Sequence, residues 1–134
     1  MLATTLLVCT RCRAEGADPQ APRAGASLLH ATRIAAGGTP GIAVAGVACL
    51  SGCKRACAAA LIAPGKVGYL FGDLTPDASG AADLLAVARA HAARPDGFLP
   101  RADRPERLRT GILARLPPPD WIKRAVDGVI AWPG

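Results

Sequence analysis

Aromatic side chains are scarce in this chain, only 4% of 134 residues: one Tyr, two Phe and two Trp. Proteins that hold single-stranded nucleic acid stack bases on aromatic rings beside a basic groove, and five rings are too few for such a platform. Acidic residues are also outnumbered, ten against sixteen Lys and Arg, for a formal net charge of +6. The cations are scattered, and Asp103 and Glu106 interrupt the richest stretch, Arg101–Arg109, which therefore reads as a solvated face. Nucleic acid is not an expected partner. No apolar run approaches the ~18 residues of a membrane span, so a soluble chain without a membrane partner is expected. The apolar stretch Leu2–Val8 is too short for a secretory core and no cleavage site follows it, which implies the cytoplasm, where stable disulfides are rare.

Catalytic signatures are missing as well. The two histidines, His30 and His91, lack a second ligand at helical spacing and are expected as surface or half-buried helix residues, which also excludes a Rieske-type site. Ser27, Ser51 and Ser79 carry no nucleophile signature. Gly37-Gly38-Thr39-Pro40-Gly41 lacks the Lys-Ser/Thr of a phosphate loop and reads as a helix stop and turn. With no acid/base constellation, a stand-alone enzyme is not expected.

What the chain does have is cysteine in two tight clusters. Cys9 and Cys12 form C-x2-C, and Cys49, Cys53 and Cys57 form C-x3-C-x3-C. An odd count cannot pair fully within one chain, and soft thiolates select zinc, copper(I) or iron–sulfur clusters. Each cluster follows a β-prone run, Thr4–Val8 and Ile42–Val47. Between them lie a loop, Arg13–Ala24, and a helix over Leu28–Ala36 with Ser27 as cap and Gly37-Gly38 as stop. If the two strands are parallel neighbours, both clusters leave the same sheet edge and meet there. Cys53 and Cys57, at i and i+4, would face each other on one helical turn with Cβ atoms ~5–6 Å apart.

Further along, Ala59–Ala63 and Val67–Phe71 flank a Pro64-Gly65-Lys66 turn as a hairpin, with Tyr69 and Phe71 directed to the core. A helix runs from Asp77 to about Ala93 and ends at Arg94-Pro95. The order is the thioredoxin-like one: an α/β domain over residues 1–97, a mixed four-stranded sheet with flanking helices. Residues 98–134, with Pro100, Pro105 and Pro117-Pro118-Pro119, form a Pro-rich extension packed on that domain. A short helix over Glu106–Leu113 and an amphipathic helix over Asp120–Trp132 are predicted there, with Trp121 and Trp132 packing on the domain.

Gly52-Cys53-x-x-Ala56-Cys57, then Pro64-Gly65 and Tyr69-x-Phe71-Gly72, resembles the second half of the thioredoxin-like [2Fe–2S] ferredoxins, a likeness covering roughly residues 4–93. The whole chain, with Arg94-Pro-Asp-Gly-Phe98 and Arg115-Leu-Pro-Pro118, also resembles a family of small bacterial metal-binding proteins of unknown function. The first resemblance implies an electron carrier whose [2Fe–2S] cluster is held by Cys53 and Cys57 and by Cys9 after the first strand. The fourth ligand is then Cys12, or Cys49 in its place. Ferredoxins of this type space the second ligand more widely than Cys12, and they have no counterpart of Cys49.

Two alternatives stand beside this reading: a protein that binds or delivers zinc or another single metal without redox chemistry, and a thiol–disulfide protein using Cys9–Cys12. Arg11, Arg13, Lys54 and Arg55 are interleaved with the cysteines, where cations favour thiolate and suit docking to an acidic redox partner protein. Self-association as a homodimer is compatible with everything above.

Overall fold

The structure is a computed structural model describing residues 4–14 and 16–133. Met1–Ala3, Glu15 and Gly134 lie outside the described residues, and with them the start of the Leu2–Val8 stretch and the outer ends of 1–97 and 98–134. The elements run β1 (Thr4–Cys9), α1 (Ala24–Ala36), β2 (Ile42–Val47), β3 (Ala59–Ile62), β4 (Gly68–Phe71), α2 (Ala78–Ala93), α3 (Glu106–Thr110) and β5 (Ile112–Leu116). Short 3-10 turns cover Cys53–Arg55, Arg101–Asp103 and Pro119–Arg124. Among the described residues no helix is long and apolar enough to cross a membrane.

The sheet order is β2-β1-β3-β4-β5, with β1 and β2 parallel and the remaining pairs antiparallel. The two-residue period of the strands decides which face is covered. Leu6, Leu61 and Tyr69 are consecutive cross-strand partners, as are Val8, Ala59 and Phe71, and all six are buried. Both long helices pack on each other and on β1 and β2, adding Leu28, Leu84, Leu85 and Val87 to the same core. Tyr69 and Phe71 stack with ring centroids 5.8 Å apart, in the core as the strand pattern predicts.

Among the described residues the sheet has five strands where four are predicted. The fifth, β5, comes from the Pro-rich segment and pairs along β4, Gly68 with Leu116 and Leu70 with Ala114. Its five residues carry a charge and no turn joins them to β4, so the pairing has no local signal. The segment is held further by Leu99, whose amide donates to the Tyr69 hydroxyl at 2.8 Å, and by the buried Trp121. The helix predicted over Asp120–Trp132 is absent. In its place the Pro119–Arg124 turn leads to a tight Val126–Val129 pairing around Asp127-Gly128, both at positive φ. An Asp-Gly pair is the usual choice for such a two-residue reversal.

Asp77 caps α2, its carboxylate accepting the Gly80 amide at 3.1 Å. The start of α1 departs from prediction. It begins at Ala24 with no capping side chain, and Ser27 lies inside it. The Gly25 amide instead donates to the Cys12 carbonyl at 3.0 Å, so the orphan donor of the first turn is satisfied by the cysteine loop. His91 is fully buried, neither at the surface nor half-buried. Its Nε2–H donates to the Val67 carbonyl at 2.7 Å, and its Nδ1 accepts from the Thr4 hydroxyl at 2.8 Å.

Candidate metal centre

The parallel register pairs Cys9 with Val47, so β1 and β2 end together and both cysteine segments leave one sheet edge. The Thr10 amide donates to the Val47 carbonyl at 2.8 Å, holding the exits side by side. From the other flank β3 approaches antiparallel, and the Cys9 amide donates to the Ala58 carbonyl at 3.0 Å. Cys57 therefore stands next to Cys9, although 48 residues separate them in sequence. It is anchored in turn by two backbone bonds of 3.2 Å to Leu74. Beneath the loop, α1 presses so closely that a Cβ on Gly25 would overlap the Cys9 carbonyl oxygen. No other residue fits at that point without moving the loop or the helix.

All five cysteines are free, and they fall into two tiers. Cys9, Cys12 and Cys57 are buried, at 1%, 1% and 2% exposure, while Cys49 and Cys53 are exposed. A cleft of about 520 Å³ is lined by Cys12, Cys49 and Cys53 together with Arg11, Arg13 and Arg23. Cys12 thus belongs to both tiers. The helical turn predicted to align Cys53 with Cys57 does not form. Cys53 opens a three-residue 3-10 turn, and Cys57 lies beyond it at a bend, past the extended Ala56, so one sulfur is in solvent and the other in the core.

The buried thiols are electrostatically unequal. Burial alone would raise the Cys9 thiol, but the backbone N–H groups of Leu50 and Arg11, with the Cys12 thiol and amide, outweigh it and hold Cys9 below its ordinary value. Cys12 is pushed up to about 12, first by burial and then by the neighbouring Cys9. Burial, followed by Cys9, raises Cys57. A cradle of backbone donors around one sulfur is an arrangement that holds negative charge, as a thiolate ligand requires. Among the described residues no three His, Cys, Asp or Glu side chains are placed to hold a single ion together.

The interleaved cations have separate jobs. Arg55 is tied down: its Nε donates to Asp73 at 2.7 Å, a second guanidinium nitrogen reaches the same carboxylate oxygen, and that nitrogen also meets the Thr110 carbonyl at 3.3 Å. This pins the Cys53–Arg55 turn to the exits of β4 and α3. Arg11 and Arg13 face the cleft. Arg23, which the sequence pattern does not single out, joins them and donates to the Arg11 carbonyl at 3.3 Å. Gly25 is the other residue missed. Its only local signal is a glycine in the first turn of a helix-forming run.

A family model described as "Protein of unknown function (DUF1636)" matches residues 6–118. No curated protein matches the chain. A solved structure of a thioredoxin-like [2Fe–2S] ferredoxin from Aquifex aeolicus is similar over 89% of this chain and 97% of that one, with a TM-score of 0.54 and 15% identity. At that identity the likeness is one of fold, and the fold is thioredoxin-like.

Proposed function

The chain belongs to the DUF1636 family of proteins of unknown function, and from its thiol arrangement we propose that it binds a [2Fe–2S] cluster and carries electrons in the cytoplasm. The assigned ligands are Cys9, Cys12, Cys53 and Cys57, with Cys49 as the alternate for Cys12. The observation that carries this reading is the convergence of two distant cysteine segments on one sheet edge, with Cys12, Cys49 and Cys53 around one cleft and Cys9 and Cys57 directly behind it. Four thiolates are the ligand set of such a cluster, which supplies one-electron chemistry when bound. Its two irons share the four thiolates in pairs, whereas structural zinc gathers four ligands on one ion. The C-x3-C-x3-C segment departs from the paired C-x2-C knuckles of structural zinc and favours the cluster.

The chain's own residues do the rest. The Leu50 and Arg11 amides favour negative charge on Cys9. The Arg55–Asp73 pair sets the Cys53 turn. Arg11, Arg13 and Arg23 offset the anionic ligand set and present a basic rim to an acidic redox partner.

Protein purified without oxygen should be red-brown, with visible bands bleached by dithionite and iron equal to acid-labile sulfide. A colourless protein with stoichiometric zinc and no sulfide would replace the cluster by the metal-binding alternative.

A thiol–disulfide role for Cys9–Cys12 has one observation in its favour: the two thiols hydrogen-bond each other, and α1 begins against their loop. Both sulfurs are buried, however, which denies an incoming disulfide its approach. Oxidised glutathione followed by alkylation tests it directly, by whether Cys9 and Cys12 become joined.

A further inference from the structure

One buried cation has no counter-charge among the described residues. Arg104 is only 7% exposed, an exception within a stretch that is otherwise mostly the solvated face its sequence predicts. One terminal nitrogen donates to the Leu108 carbonyl at 3.1 Å, while Nε has no partner among the described residues. Burial first, and then the like charges of its neighbours Arg101, Arg115 and Arg109, depress its pKa. Tyr69 is the remaining titratable neighbour. Burial pushes its pKa up, so the phenol stays neutral. No ion pair among the described residues involves Arg101, Arg104 or Arg109, and the adjacent Asp103 and Glu106 point into solvent. Arg115 is engaged elsewhere, on the faces of Phe98 and Trp132 at 5.5 and 4.5 Å. Burying an uncompensated guanidinium among other guanidiniums is unfavourable unless an anion completes the group.

Two of the guanidiniums whose charge Arg104 feels, Arg101 and Arg109, border a surface concavity that Arg104 itself does not line. Its volume is about 380 Å³, and Ala102 completes the lining. Both of its arginines are held by the backbone. Arg101 donates to the Arg109 carbonyl at 3.1 Å, and Arg109 donates to the Arg104 carbonyl at 3.1 Å and to Ala102 at 3.5 Å. A guanidinium has five N–H donors, so each keeps donors for a ligand. We propose that Arg101 and Arg109, backed by the buried charge of Arg104, form an anion site for a phosphate-class oxyanion, free or carried on a small molecule. A dianion compensates this many cations better than a monocarboxylate, and forked guanidiniums match phosphate oxygens. The site is independent of the cysteines and of what they bind.

Protein in its isolated, metal-loaded form should be titrated with inorganic phosphate and with glycerol phosphate against sodium chloride at constant ionic strength. The expected result is a melting temperature that rises along a saturating curve, with ³¹P line broadening over the same range. Tighter binding of the monoester would assign the site to a phosphorylated small molecule, and equal binding to free phosphate. Arg101→Gln, a change at an exposed residue, should weaken binding by about tenfold or more. Arg104→Met should match the wild type in chloride and lose the phosphate response. A rise that never saturates, equals that in sulfate and persists in Arg101→Gln is solvent exclusion and overturns the proposal. A saturating response unchanged in Arg101→Gln overturns it too. Should Arg104→Met fail to fold, Arg101→Gln decides alone.

Discussion

Strand β1 carries a polar cluster at each end, and the two are completed differently. At Thr4 the hydroxyl meets His91, the His91 ring meets the Val67 carbonyl, and the Lys66 ammonium meets the carbonyls of His91 and Ala92 at 2.9 and 3.1 Å. Side-chain donors and acceptors there match one another, which closes that end of the sheet. Five residues on, at Cys9, three buried thiols lie near one another with no disulfide between them, and two further thiols are exposed. Thiols satisfy one another poorly, since S–H is a weak donor and S a weak acceptor. One end of β1 needs nothing further. The other gathers soft donors, backbone N–H groups and arginines around a cleft.

The largest expected effect is at the thiol end. Cys53→Ser or Cys57→Ser should remove essentially all cluster-bound iron and sulfide, and Cys9→Ser most of it, while one of Cys12→Ser and Cys49→Ser leaves the content near wild type. Iron and sulfide assays on anaerobically purified variants check this, and unchanged iron in Cys53→Ser would break the contrast between the ends. Next comes the glycine that lets α1 reach the cysteine loop. Gly25→Ala drives a methyl group into the Cys9 carbonyl and should cost about 3 kcal/mol, read as a lower urea midpoint together with reduced metal content.

The closed end is broken by acid. Burial holds the folded His91 pKa below its ordinary 6.5, against the pull of the Val67 carbonyl. The unfolded chain therefore takes up a proton below about pH 6.5 that the folded protein resists. Stability should be full above that value and fall as the pH drops toward the lowered folded pKa. Asp77, held down mainly by the Thr75 hydroxyl and the Gly80 amide, adds a separate loss below its ordinary 3.8. His91→Leu should cost about 1–3 kcal/mol near neutrality by leaving Thr4 and Val67 unpaired, and should flatten the first acid limb. Denaturation midpoints across pH check both.

The smallest effect sharpens the comparison at the rim. Lys54→Glu, in the exposed turn at Cys53, should slow electron transfer to an acidic acceptor at low salt and leave the visible spectrum intact. The difference should fade as the Debye length shortens to ~8 Å. Lys54 is the cleaner probe, because reversing Arg55 would also break its contacts with Asp73 and Thr110.

The chain by itself determined whatever depends on neighbours in sequence. The alternation in Thr4–Cys9 and Ile42–Val47 made strands, Asp77 capped α2, and cysteines placed at or just past the ends of two strands were bound to lie where those strands leave the sheet. Only the tertiary structure decided whatever depends on distant residues. Thr4 and His91 are 87 positions apart, β5 finds its place only along β4, and Arg104 is buried by the packing of the C-terminal segment. The split of the thiols is of the same kind. Cys53 and Cys57 share one motif, yet the 3-10 turn and the backbone bonds to Leu74 put one in solvent and the other in the core. Spacing sets how far apart two side chains lie along the chain; burial is set by what packs over them.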